Sequence, residues 1–181
     1  RLTRRVMDRA NALHTDCNRD LRLAGEWGYD AGKPTRVLPG GGGIRTDVFR
    51  PGPAGAELLN RLDIRDEAPV VFNPRGFRTY IRNDTFFRSI PHVLASRPDV
   101  VFVGVGMLGN PVAEGWTDKL RVRGAVRLLP AVSRDEMAGF FQMADVTVSP
   151  SEHDGTPTWR RRYHSNRSTF DASEFSPGDC G

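Results

Sequence analysis

Between Ala54 and Pro150 the chain alternates four short apolar runs with segments of helical period, and this rhythm limits the fold more than any other feature. The runs are Pro69-Val-Val-Phe-Asn73, Val100-Val-Phe-Val-Gly104, Val126-Arg-Leu-Leu129 and Asp145-Val-Thr-Val-Ser149. The first two lack polar alternation, the pattern of strands buried on both faces. A helical segment, Ala54 to Leu62, precedes the first run. A second is capped by Asn83 or Asp84, carries Phe86, Phe87, Ile90 and Leu94, and is expected to kink at Pro91. A third passes through Val112, Trp116 and Leu120. A fourth opens at Ser133 with Glu136 three residues on, a capping box, and buries Met137, Phe140, Phe141 and Met143. Strands alternating with helices at this spacing predict right-handed βαβ units and a parallel α/β sheet.

Upstream, residues 1 to 38 read as a helix around Arg4 to Ala10, a brief strand at Ala12 to Thr15, and a helix capped by Asp16 or Asn18. That helix ends near Gly28, and a short strand follows at Val37-Leu38. Pro39-Gly40-Gly-Gly-Gly43 is then a hinge, or a place where backbone approaches a ligand closely. The expected boundaries are an incomplete first domain at 1–38, a hinge at 39–51, an α/β domain at 52–157 and a tail at 158–181. A start at Arg1 is expected of a piece of a longer protein. Only Lys33 and Lys119 are lysines among 26 basic residues, and the arginines are interspersed with 22 acids. A net charge of +4 spread in this way gives little phosphate attraction, which argues against a nucleic-acid binder. Two cysteines and no apolar run of membrane length suggest a reducing, cytoplasmic compartment.

Chemistry is expected in the loops leaving the carboxyl ends of the strands. The first, Asn73 to Asn83, carries Arg75, Arg78 and Arg82 close to a helix N-terminus, which suits a phosphate through guanidinium forks and free N–H groups. A solvated arginine cluster is the plainer alternative. The second, Gly104-Val-Gly106-Met-Leu-Gly109, outlines G-x-G-x-x-G but follows the wrong strand for a dinucleotide fingerprint. The third is Leu129-Pro130-Ala131. The fourth, Ser149 to Pro157, holds two acids and a histidine. No zinc set, Ser-His-Asp order or P-loop is present, and no metal site is expected.

Taken in order, these loops resemble the C-terminal, donor-binding half of GT-B glycosyltransferases of the retaining, glycogen-synthase-like family 4. The family's Pro-Asn-Gly-Val-Asp-x-x-x-Phe-x-Pro segment is matched from Pro39 to Pro51, with Gly in place of Asn. Its Gly-Arg loop and following basic residue are matched by Arg75 and Arg82, its Val-Gly-x-Gly strand end by Val103 to Gly106. Its Ala-Asp-Val-x-Val-x-Pro-Ser pattern is matched by Ala144 to Ser151. The resemblance implies a Rossmann-like parallel sheet with flanking helices. It also implies transfer of a hexosyl group from a nucleotide-diphosphate sugar to an unknown acceptor, with no cofactor beyond that donor. Arg75, Arg82 and Asp154 would be the catalytic set, the arginines holding the diphosphate and Asp154 meeting donor-sugar hydroxyls. Gly41, Gly42, Gly43, Arg78, Gly106 and Thr156 would line the donor site, with Leu129 and Pro130 against the base. The family's second acid falls at Arg162, a departure that leaves the ribose contact unfilled. No transmembrane segment is implied, and peripheral membrane contact stays open to the full-length protein. The alternative from another class is a non-catalytic α/β module that binds an anionic ligand or protein partner through Arg75, Arg78 and Arg82.

After Pro157 the chain has no Ile, Leu, Val or Met and no apolar period. This is the composition of a disordered or non-native tail. If Thr158 ends in C, Arg160 is AGG and Arg161 is CGN, stepping back one nucleotide across Trp159 reads Leu-Glu-Ala, as the family has there. Sequencing the gene checks this: a Thr158 codon ending in any other base, or a CGN codon at Arg160, removes the frameshift and leaves a genuine tail.

Overall fold

The computed structural model describes residues 2–38 and 45–152. The expectations placed on Gly41, Gly42, Gly43, Asp154, Thr156 and the tail at 158–181 lie outside the described residues. Those described divide into two compact units, one on each side of residue 44.

The first unit runs α1 (Leu2–Arg9), β1 (Leu13–Thr15), α2 (Asn18–Glu26) and β2 (Thr35–Val37), with β1 and β2 paired in parallel from Leu13 opposite Thr35. The Tyr29 hydroxyl donates to the Pro34 carbonyl at 2.8 Å, and Tyr29 and Ala24 are buried beneath the crossover. The N-cap of α2 is Cys17, not Asp16 or Asn18, because Asn18 is already helical and Cys17 is the last extended residue. The Cys17 side chain makes no capping hydrogen bond.

The second unit runs α3 (Ala56–Arg61), β3 (Val70–Asn73), α4 (Asn83–Ser96), β4 (Val101–Gly104), α5 (Pro111–Lys119), β5 (Val126–Leu128), α6 (Arg134–Met143) and β6 (Val146–Thr147). The four strands from β3 to β6 form one parallel sheet in the order β5-β4-β3-β6. The chain thus moves outward from β3 to β4 to β5, then returns to the other side of β3. Right-handed crossovers in opposite directions put α4 and α5 on one face and α6 on the other. Alternation along β3 serves both. Val71 packs with Phe86, Phe87, Ile90 and Phe102 beneath α4 and α5. Phe72, fully buried, stacks on Phe140 at 5.7 Å between centroids and meets Phe141 edge-on at 5.4 Å beneath α6. Phe49, from the segment before α3, closes that second cluster against Phe141 at 6.2 Å. The α/β sheet with helices on both faces is therefore as the apolar rhythm predicts.

Several local expectations are corrected. The cap of α4 is Arg82 rather than Asn83 or Asp84: its N–H donates to the Pro150 carbonyl at 2.7 Å, which holds it out of the helix. Released from capping, Asn83 is buried, and its amide donates to the Gly76 carbonyl at 3.3 Å. The kink expected at Pro91 does not interrupt the helical span, which runs on to Ser96. Met137 is half-buried while Phe140, Phe141 and Met143 are buried. The strand expected over Asp145 to Ser149 is shortened to Val146–Thr147, flanked by bonds to β3 from the Asp145 and Val148 N–H groups, both at 2.9 Å, while the Asp145 carboxylate accepts from the Val70 N–H at 2.8 Å. The Ser133 capping box is formed, with Ser133 Oγ accepting from the Glu136 N–H at 3.2 Å and the Glu136 carboxylate accepting from the Ser133 N–H at 3.0 Å.

Two substitutions separate these contributions. Phe141→Ala removes a fully buried ring that touches two others and is expected to cost about 3–5 kcal/mol in denaturant unfolding. Ser133→Ala, which removes one half of an exposed capping box, is expected to cost about 1 kcal/mol. Equal losses would contradict the packing described.

Candidate functional site

The carboxyl ends of β3, β4, β5 and β6 are Asn73, Gly104, Leu128 and Thr147, and backbone bonds join the loops that leave them. Leu129 N–H donates to the Gly104 carbonyl at 2.8 Å, and Met107 N–H and Gly106 N–H donate back to Leu129 and Pro130 at 2.9 and 3.1 Å. The β4 and β5 exits therefore form one ledge. The β3 exit lies against it through two glycines. Gly76 (φ +66°) and Gly106 (φ +68°) both hold left-handed backbone, and a methyl group on Gly106 would come within 3.5 Å of the Gly76 Cα. The contact is an ordinary one, and it is the left-handed dihedral that favours glycine at both positions.

On the other side of β3, the β6 exit is bound just as closely. Arg82 N–H donates to Pro150 and Glu152 N–H donates to Tyr80 at 3.0 Å, around an isolated antiparallel bridge between Ile81 and Ser151. This is the topological switch point of the sheet: α4 leaves β3 toward one face, and α6 reaches β6 from the other. Ligands of open α/β sheets bind outside that point.

The arginines of the β3 exit occupy three different settings. Arg75 is half-buried, its N–H received by the Asn73 side chain at 3.0 Å, and its guanidinium lies 5.9 Å from the centroid of the Tyr80 ring. Arg78 is exposed and donates to the Tyr80 hydroxyl at 3.4 Å. Arg82 stands at the N-terminus of α4, its Nε and Nη2 each donating to one oxygen of Asp84 at 3.0 Å, with Nη1 3.7 Å from Glu152 Oε1. The hydrogen bond from Arg82, opposed by desolvation, holds the Asp84 carboxyl below its ordinary value, and the same bond raises the Arg82 guanidinium. The fork is thus favoured at neutral pH and weakened when acid protonates Asp84. Two buried amide atoms at this end, Asn73 Nδ2 and Asn83 Oδ1, have no hydrogen-bond partner among the described residues.

Of the remaining expected site residues, Leu129 is half-buried on the ledge and lines a groove of about 410 Å³ with Leu108, Leu128, Glu114 and Arg127, whereas Pro130 is exposed beside it. Arg75, Gly106, Leu129 and Pro130 are thus held on one connected edge, with Arg82 across the switch point. Sequence reasoning missed Tyr80, which touches two arginines and the β6 exit. It also missed the pairing of Asp84 with Arg82. The signal available was the spacing Arg-x-Asp, which closes the same fork at Arg45 with Asp47 and at Arg97 with Asp99, outside the arginine loop. The spacing therefore marks a local ion pair, not a site. Among the described residues no three His, Cys, Asp or Glu gather as a metal would require, and no helix is long and apolar enough to cross a membrane.

No family model matches the chain. It is 31% identical over 132 residues to a D-inositol 3-phosphate glycosyltransferase of Streptosporangium roseum, an alignment of 67% of this chain and 30% of that protein. The chain thus matches about a third of the length of its curated relatives. Among solved structures, Anabaena HepE in complex with UDP and glucose superposes with a TM-score of 0.74 at 13% identity, over 90% of this chain and 44% of that one. The C-terminal domain of a group 1 glycosyl transferase protein from Francisella tularensis gives 0.56 at 15% identity, over 68% of this chain and 67% of that domain. The chain has GT-B glycosyltransferase homology over a partial domain, and its parallel sheet with flanking helices is the fold of the C-terminal GT-B domain.

Proposed function

We propose that this chain carries part of the nucleotide-sugar donor site of a family 4 retaining glycosyltransferase, and that the arginine loop after β3 binds the donor diphosphate. The observation that carries this reading is the position of that loop. It leaves the central strand at the switch point, opens a helix of 14 residues, and sets Arg82 at the helix N-cap, with Arg75 and Arg78 against Tyr80 in the same loop. The backbone N–H groups of Arg82, Asn83 and Thr85 are already taken by carbonyls, so the helix dipole and the guanidinium groups are what favour a phosphate there. In glycosyl transfer the bond from sugar to diphosphate breaks and negative charge grows on the departing nucleotide. Positively charged groups fixed in advance around that charge lower the barrier more than they stabilise the neutral sugar end. Arg75 and Arg82 have this role in the reading, Leu129 and Pro130 bound the base, and Gly106 lets the backbone of the ledge come close. Gly41, Gly42, Gly43, Arg78 and Thr156 line the rest, and Asp154 meets the donor sugar. The similarity to D-inositol 3-phosphate glycosyltransferases supports a glycosyl donor and a small polar acceptor. The acceptor would be held by a part of the protein that the matched third does not contain.

Calorimetric titration of the 181-residue chain with nucleoside diphosphates and nucleotide-sugars tests the reading. Binding is expected, weakened by about tenfold or more in Arg75→Ala and in Arg82→Ala, the scale of a hydrogen bond to a charged group. A folded chain that binds neither ligand contradicts the donor site. Inorganic pyrophosphate bound as tightly as any nucleotide would favour the non-catalytic anion-binding module instead.

Transfer needs an acceptor held against the donor sugar, and positioning of that kind is a large share of the barrier reduction. The chain alone is therefore expected to give no glycosyl transfer and no more than trace hydrolysis of a radiolabelled nucleotide-sugar. Sustained turnover by the purified chain would show that it holds an acceptor.

A further inference from the structure

Arg82 meets two carboxylates, and the two contacts differ in kind. Asp84 takes the Nε–Nη2 edge with two hydrogen bonds of 3.0 Å, the parallel fork in which a guanidinium is most firmly oriented. Three things keep Asp84 there: the fork itself, a short side chain on the rigid first turn of α4, and the positive end of that helix. Glu152 has only one hold on Arg82. Its carboxylate stands 3.7 Å from Nη1, with no hydrogen bond between them, on a longer side chain that is half exposed. Its backbone is fixed by the bond to Tyr80, so the carboxylate can swing away without moving the β6 exit. The guanidinium thus has one edge committed to its own helix and one end facing solvent under a loosely held counter-charge. Arg82 is itself half exposed, so an anion can reach that end directly.

We propose that Asp84 is a positioning residue that aims the Nη1 end of Arg82 outward, and that Glu152 is a resident counter-charge which an incoming diphosphate displaces from it. This rests on the donor-site reading for the identity of the anion and assigns that site two residues of opposite effect. Asp84 favours binding by holding the guanidinium in one orientation before the ligand arrives. Glu152 opposes binding, because its carboxylate must leave Arg82 and then stands beside two phosphates. Displacing it also breaks the one side-chain ion pair between the β3 and β6 exits among those described, while the backbone bonds between the two exits stay in place.

The test is a calorimetric double-mutant cycle on the full 181-residue chain at low ionic strength, with inorganic pyrophosphate as the first probe and UDP and GDP as the second. Glu152→Gln keeps the side-chain shape without the charge and is expected to tighten pyrophosphate binding by about two- to fivefold, the scale of an exposed ion pair. Asp84→Asn is expected to weaken it by about threefold or more. Both effects are expected to vanish in the Arg82→Ala background, which a general change in surface charge or stability would not produce. Both side chains are solvent-exposed in part, and thermal melting verifies the fold of each variant. If Asp84→Asn lowers the melting midpoint, Asp84→Ser, which keeps a residue suited to a helix start, takes its place. Unchanged or weaker binding in Glu152→Gln, tighter binding in the Asp84 variant, or effects that persist without Arg82 would overturn the assignment. So would a folded chain that binds no pyrophosphate. UDP and GDP bound no tighter than pyrophosphate in every variant would instead remove the nucleotide reading and leave the assignment of Arg82 standing. Tight nucleotide binding indifferent to Asp84 and Glu152 would do the reverse.

Discussion

The second unit depends on one strand being enclosed on every side. β3 has β4 on one edge and β6 on the other, aromatic clusters on both faces, and every residue buried except the half-buried Val71. A strand so enclosed must be apolar, since any polar side chain on it would need a buried partner. Asn73 is the one polar residue β3 has, and it stands at the carboxyl end, where its side chain receives the Arg75 N–H and begins the arginine loop. The demand of the core and the start of the site thus meet at a single residue.

From there the site is shaped more by backbone than by side chains. The β3 exit is held against the β4–β5 ledge by two facing glycines, and against the β6 exit by hydrogen bonds through Arg82, Tyr80 and Glu152. Backbone-to-backbone contacts of this kind fix a loop without specifying what it carries. The arginines are free to differ in setting while the loop beneath them keeps its course: one lies over a tyrosine ring, one in solvent, one at a helix cap.

The strands, their parallel order and the aromatic helix faces were legible in the sequence because each depends on a local period that burial enforces. Phe72 faces one cluster and Val71 the other simply by alternation. The misread positions are those where a distant partner decides. Arg82 caps α4 because Pro150 takes its N–H, and the Asp145 carboxylate receives the Val70 N–H; neither partner is adjacent in sequence. For the site, Arg75 and Arg82 stood out by residue type at a strand exit, and Gly106 by its place in a glycine pattern. Tyr80 gave no signal, since a tyrosine among arginines reads as an ordinary surface residue. The carboxylates of Asp84 and Glu152 gave only the common spacing of surface ion pairs.

The bond from the Asp145 carboxylate to Val70 spans 75 residues, and every contact that braces the arginine loop from the β6 side spans nearly as many. Closing so large a loop carries an entropic cost that pairings within the β3–α4–β4 unit do not. During synthesis, β3, β4 and β5 can assemble with their helices while Pro150 to Glu152 are still unmade. The arginine loop therefore acquires its final course at the end of folding rather than with the strand that begins it. A chain that ends before Pro150 lacks the bonds from Pro150 and Glu152 and the Ser151 bridge, and with them the backbone bracing of the arginine loop from the β6 side.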